Sequence, residues 1–220
     1  MITACGTSYH AGLVGKHLLE KWARIPVEVD LASEFRYRDP LLDPSNLVIV
    51  ISQSGETSDT LAALKEARRK GCRILAITNV VDSTITRESD EVIYTWAGQE
   101  ISIASTKAYT AQVMVIYLLG LLFARERGTM TGEEIKDKIS VLQQVPGRIE
   151  EILEQENNIQ EIAGHYHTCD DFFYLGRGLD WVVALEGALK LKETSYVHAE
   201  AYAAGELKHG PLALITEGVP

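Results

Sequence analysis

The hydrophobic pattern of this chain switches repeatedly between continuous apolar runs and a helical period. Residues 47–51 are five apolar side chains in a row, the pattern of a strand covered on both faces. A helical period follows from about 59 to 69, then a strand pattern at 73–78, a loop at 79–83 and another strand at 91–94. Ahead of these, a strand end and turn at 3–6 lead into a helix at 8–23, a short strand at 27–31 and a short helix at 33–36. Asp39-Pro40 and Asp43-Pro44 mark turns. Ser105 and Thr106 can cap a long helix reaching about 127. Such strand–helix alternation predicts an α/β fold, a parallel sheet covered by helices on both faces.

Beyond 127 the pattern changes. Thr131 and Glu134 have the spacing of a capping box and open a helix that Pro146 ends or kinks. A helical pattern resumes at 148–163, so the charged stretch 125–160 reads as a connector. Residues 171–178 then repeat the opening device: an apolar strand, a Gly176-Arg177-Gly178 turn, and a helix at 181–196 rich in Ala and Leu. This internal repeat predicts a first domain at 1–128, a helical connector at 129–165 and the N-terminal part of a second domain at 166–220.

Composition narrows the function classes. The 220 residues are 46% hydrophobic and 24% charged, as in an ordinary globular protein. A formal net charge of −10 argues against nucleic acid, whose binders present a basic face. Cys5, Cys72 and Cys169 are odd in number, far apart and form no CxxC, the usage of reduced thiols in the cytoplasm. No secretory leader is visible, and the apolar run at 113–123 is too short to span a bilayer, so no membrane partner is expected. His165, His167 and Cys169 match no zinc spacing, and no metal is expected. Trp181 stands where a dinucleotide fingerprint would need a third glycine after Gly176 and Gly178, so no such cofactor is expected.

Chemistry concentrates at the turns. Ser52, Gln53, Ser54, Gly55, Glu56 and Thr57 sit where a strand hands over to a helix. Hydroxyls, free N–H groups and a helix dipole there suit a phosphate. Simple helix capping is the alternative, though the loop holds more hydroxyls than a cap needs. Thr7, Ser8 and Ser105 lie at equivalent turns, and in a doubly wound sheet all such turns gather at one edge. Glu186, Lys190 and Glu193 fall within about 60° on one helix stripe. They form either an exposed ion-pair ladder or the wall of a pocket in which a partly desolvated carboxylate acts as a base. His209, between Gly205 and Pro211, is placed on a loop where an imidazole can exchange protons.

Five segments together resemble a known family: ACGTSYHA at 4–11, SQSGET at 52–57, ASTKA at 104–108, ALEGALKLKE at 184–193 and HAEAYAAGELKHGPLAL at 198–214. They are similar to the isomerase half of the glutamine–fructose-6-phosphate aminotransferases, along essentially the whole chain. The resemblance implies sugar isomerase (SIS) domains with a flavodoxin-like three-layer αβα fold, the second one partial. It implies conversion of fructose 6-phosphate to glucosamine 6-phosphate with nitrogen from glutamine, and no redox cofactor. Ser52, Gln53, Ser54 and Thr57 match positions holding the phosphate, and Thr7, Ser8 and Ser105 match positions lining the sugar. Glu193 matches the base acting between carbons 1 and 2. His209 matches a ring-opening histidine supplied by the neighbouring subunit of a homodimer, and Glu186 and Lys190 match residues beside that chemistry.

Against the same family, the glutaminase half with its cysteine nucleophile is missing, and Cys5, expected at a buried strand end, cannot replace it. The C-terminal tail lysine and most of the second SIS domain are also missing. The expectation is weak phosphosugar binding without synthase activity from glutamine. A non-catalytic phosphosugar-sensing SIS module is the alternative; it would keep the hydroxyl loop but lack Glu193 and His209.

Overall fold

The apolar run at 47–51 becomes the central strand of a five-stranded sheet in the computed structural model, which describes residues Met1–Pro220. The chain divides into two units, Met1–Thr129 and Met130–Pro220. In the first, β1 (Ile2–Ala4), β2 (Val29–Leu31), β3 (Leu47–Ser52), β4 (Arg73–Thr78) and β5 (Glu91–Tyr94) are all parallel. Their order is β2-β1-β3-β4-β5, that of a flavodoxin-like doubly wound sheet. Ala4 pairs with Ile51, and Ser52 with Thr78, so the carboxyl ends of β1, β3 and β4 finish nearly level.

Parallel strands need crossovers, and helices supply them. From β1 the chain enters α1 (Gly6–Leu18), which packs on β1 and β2. After β3 comes α3 (Ser58–Arg69), which packs on β3 and β4 and lies against α2 (Ala32–Phe35). The chain therefore leaves β1 and β3 in opposite directions, and a crevice opens between their carboxyl ends. Val48, Val50, Ile74 and Ala76 meet Leu64 and Ala67 of α3 and Ile85 of α4 (Thr84–Arg87). Each fully buried Val or Ile in that cluster contributes about 1.5–3 kcal/mol by removal from water.

Three local features differ from expectation. Helix α1 begins at Gly6 and closes in a π-helical turn, Leu19–Ala23. Cys5 is half-buried at the N-cap of α1 rather than buried at a strand end. The long helix α5 (Lys107–Glu126) has 20 residues and a mean hydropathy of 1.5, enough by length and composition to cross a bilayer. Its apolar run is accounted for by packing: Ile116, Leu119 and Leu121 are buried, and the helix lies against α1.

The second unit holds α6 (Gly132–Leu153), α7 (Glu156–Tyr166), β6 (Asp171–Gly176), α8 (Leu179–Ser195) and β7 (His198–Ala203). The capping box forms: Glu134 N donates to Thr131 Oγ1 at 3.2 Å, and Thr131 N to Glu134 Oε2 at 2.7 Å. Pro146 does not end α6, which runs on to Leu153. Strands β6 and β7 are parallel, from Asp171↔His198 to Gly176↔Ala203, with α8 as the crossover. This β–α–β arrangement repeats β1–α1–β2.

Candidate functional site

The turn after β3 is held open by one glycine and two hydroxyls. Gly55 has φ +68°, and a Cβ there would stand 2.0 Å from Ser83 Oγ, so no other residue fits. Gly55 N donates to Ser52 Oγ at 3.0 Å, and Ser52 Oγ lies 3.0 Å from Thr57 Oγ1. Glu56 N donates to Ser54 Oγ at 3.1 Å. Thr57 is the N-cap of α3, yet no side chain caps that helix. The hydroxyl oxygens thus shape the loop by accepting its N–H groups and do not cap the helix, and the N-terminus of a 12-residue helix stays without a side-chain acceptor. The Gln53 side-chain amide is half-buried, while its backbone carbonyl is fixed by Asn79 N at 3.1 Å.

Charges around the loop are already answered. Asp59, in the first turn of α3, pairs with Arg36 at 3.2 Å. Glu56 turns outward and accepts Thr84 N at 2.7 Å. That backbone bond, then the Thr84 hydroxyl and the nearby Arg87 charge, hold its carboxyl below the usual carboxylate range.

The turn after β1 borders the same crevice. Thr60 Oγ1 of α3 lies 4.0 Å from Cys5 Sγ at the head of α1. Helix α1 also lacks a side-chain cap, and Thr7 and Ser8 sit in its first turn. Ser8 Oγ accepts from Gln112 Nε2 at 3.0 Å, which ties α1 to α5. Ser105, half-buried, precedes α5. Neither Ser105 nor Thr106 caps that helix; Glu100 does, accepting Ala108 N at 3.1 Å and Thr106 N at 3.4 Å. Gln112 and Glu100 are absent from the sequence reading. Gln112 did carry a signal: it is the polar member of a stripe with Ala108 and Ile116, four residues apart.

In the second unit the charged stripe forms on α8. Lys190 Nζ lies 3.5 Å from Glu186 Oε1 and 2.5 Å from Glu193 Oε2. Glu186 is 6% exposed, whereas Glu193 lies near the open end of the helix. One lysine so bridges a buried and an accessible carboxylate, which exceeds a plain surface ladder. His209 ends a 3₁₀ turn, Leu207–His209, and is exposed, with its N–H donated to Glu206 O at 2.9 Å.

An uncapped strand-to-helix turn rich in hydroxyls, at the switch point of a 2-1-3-4-5 sheet, marks a doubly wound α/β protein with its ligand position at that edge. Residues 1–122 and 165–220 match the SIS domain family model, and the chain belongs to that family. Among its relatives, glutamine–fructose-6-phosphate aminotransferase (isomerizing) of Clostridium tetani is 60% identical over 217 residues, covering 99% of this chain and 36% of that protein. The protein of the same name from Methanosarcina mazei is 53% identical over 219 residues, covering 100% of this chain and 35% of its own length. The chain therefore spans about a third of the length of the curated relatives it matches. The C-terminal domain of glucosamine-fructose-6-phosphate aminotransferase from Francisella tularensis superposes with TM-score 0.97 at 43% identity, covering all of this chain and 62% of that one. Glucosamine-6-phosphate deaminase from Thermotoga maritima superposes with TM-score 0.76 at 25% identity, covering 99% of this chain and 65% of the other.

Proposed function

We propose that this chain is the phosphosugar-binding isomerase portion of a glutamine–fructose-6-phosphate aminotransferase, an enzyme of amino-sugar synthesis. The observation that carries this reading is the β3–α3 turn, where Ser52, Gly55 and Thr57 are tied together while the helix behind them is left uncapped. A phosphate seated there would take backbone N–H groups, the Ser and Thr hydroxyls and the Gln53 amide as donors, in a protein whose overall charge of −10 offers no general attraction. The names of relatives 53–60% identical over nearly the whole chain support the same substrate.

In this reading Ser52, Gln53, Ser54 and Thr57 hold the phosphate of fructose 6-phosphate, and Thr7, Ser8 and Ser105 line its sugar. Phosphate binding fixes the reacting carbons from a distance. Glu193 takes the proton from carbon 1 and returns it at carbon 2, so the carboxylate is restored at the end of the cycle. Lys190, bridging Glu186 and Glu193, keeps that carboxylate oriented. His209, from the neighbouring subunit of a homodimer, opens the ring, and a glutaminase half supplies the nitrogen. Three free cysteines support a reducing, cytoplasmic setting.

Calorimetric titration of the chain with fructose 6-phosphate and glucose 6-phosphate tests the reading. Wild type binds one or both, and Ser52→Ala weakens binding by roughly tenfold or more, as expected for a hydroxyl on a charged ligand. A folded wild-type chain that binds neither sugar overturns the proposal.

A further inference from the structure

We infer that Gln112 is a positioning residue: it fixes the Ser8 hydroxyl so that its proton is presented to the ligand in the β1/β3 crevice. The inference deepens the phosphosugar reading and rests on it. Gln112 sits on the buried stripe of α5 at 2% exposure, among Ala108, Ile116 and Leu119. Its Nε2 donates to Ser8 Oγ at 3.0 Å. Its Oε1 is buried without any hydrogen-bond partner. A core helix chosen only for packing would carry an apolar residue at this point, because an orphaned buried carbonyl destabilises the fold.

A serine hydroxyl has one proton and two lone pairs. Gln112 occupies a lone pair of Ser8 with an N–H, so the Ser8 proton cannot point at the amide nitrogen. No other bond to the Ser8 hydroxyl forms within the protein. The proton is left to donate to an oxygen in the crevice at the head of α1. A hydroxyl free to rotate would spread that proton over several directions, and a fixed donor forfeits less entropy on binding.

Two readouts separate this role from a structural one. A structural Gln112 would stabilise the fold, and its loss would lower the melting temperature. A positioning Gln112 predicts the reverse pairing: Gln112→Met, of similar volume and without the orphaned carbonyl, melts at the same temperature or higher but binds fructose 6-phosphate roughly three- to tenfold more weakly. Gln112→Leu serves the same purpose should the Met variant not fold. Because Gln112 acts through Ser8, the Ser8→Ala/Gln112→Met double variant binds no more weakly than Ser8→Ala alone. Wild-type affinity in Gln112→Met, or losses that multiply in the double variant, overturn the inference and leave the phosphosugar reading standing. A folded wild type that binds no sugar phosphate removes both.

Discussion

The turns after β3 and β6 share a backbone plan and differ in what fills it. Each follows a parallel strand, each enters a helix without a side-chain cap, and each needs a glycine. A Cβ at Gly55 would meet Ser83 Oγ at 2.0 Å, and one at Gly176 would meet the Asp180 backbone at 2.3 Å. Four of the residues at 52–58 carry hydroxyls, while residues 176–180 carry none and bring Asp180 to the helix start instead. Topology thus offers an open helix N-terminus at both turns, and side chains decide which one suits an anion. On α8 the charged groups lie along the helix body, as Glu186, Lys190 and Glu193.

The largest expected effect separates these two designs directly. In an assembly that carries out the isomerisation, Glu193→Gln lowers the rate of proton transfer between carbons 1 and 2 by about 10²–10⁴-fold with little change in sugar affinity. Ser52→Ala does the opposite, losing affinity first. Solvent deuterium incorporation at carbons 1 and 2, read beside calorimetric affinities, distinguishes them. A Glu193→Gln variant that exchanges at the wild-type rate would remove α8 from the chemistry.

Next in size is a pair of glycine substitutions. Gly55→Ala suffers both a positive φ and a clash with Ser83, together on the order of 2–5 kcal/mol. It should melt the first unit several degrees lower and abolish phosphosugar binding. Gly176→Ala clashes with backbone and should destabilise the second unit by a comparable amount, yet leave the hydroxyl loop and its ligand in place. Equal loss of sugar binding in both variants would show that the two turns are not separable. Domain-resolved melting with and without fructose 6-phosphate gives the answer.

How much of this was legible in the sequence depends on the range of the forces involved. Strands β4 and β5 fall at 73–78 and 91–94 as expected: β4 is buried on both faces and leaves a continuous apolar run, and the half-buried edge strand β5 still carries the β-favouring Val92, Ile93 and Tyr94. The Thr131–Glu134 capping box and the Glu186–Lys190–Glu193 stripe are likewise local spacings that the structure realises. Strand β7 was not legible: His198, Glu200 and Tyr202 alternate with alanines, which favour helix, and pairing with β6 overrides that preference. Helix α4, one turn long, has too few residues to show a period. In the candidate site the hydroxyl loop was readable from six consecutive residues. The Gln112–Ser8 bond, 104 residues apart in sequence, and the Gly55–Ser83 contact exist only once the sheet brings their elements together.

The smallest expected effect concerns the outer rim of the β3–α3 turn. Glu56 accepts the Thr84 amide at 2.7 Å and thereby ties the loop to the start of α4, a tie with no counterpart among the hydroxyl-free residues 176–180. The Thr84 N–H, its hydroxyl and Arg87 depress the Glu56 carboxyl in the folded protein. A depressed carboxyl stabilises the fold at every pH above its unfolded value, and that contribution fades as pH falls through the folded value. The tie is therefore complete at neutral pH and released only in acid, below the usual carboxylate range. The Thr84 amide proton should shift along that titration in NMR spectra and become silent to it in Glu56→Gln. Because Glu56 is fully exposed and turned away from Ser52 and Thr57, the same variant should change fructose 6-phosphate affinity by less than about threefold. A larger gain in affinity would mean that Glu56 repels the phosphate, and that the anion sits nearer the rim of the loop than the Ser52–Thr57 pair.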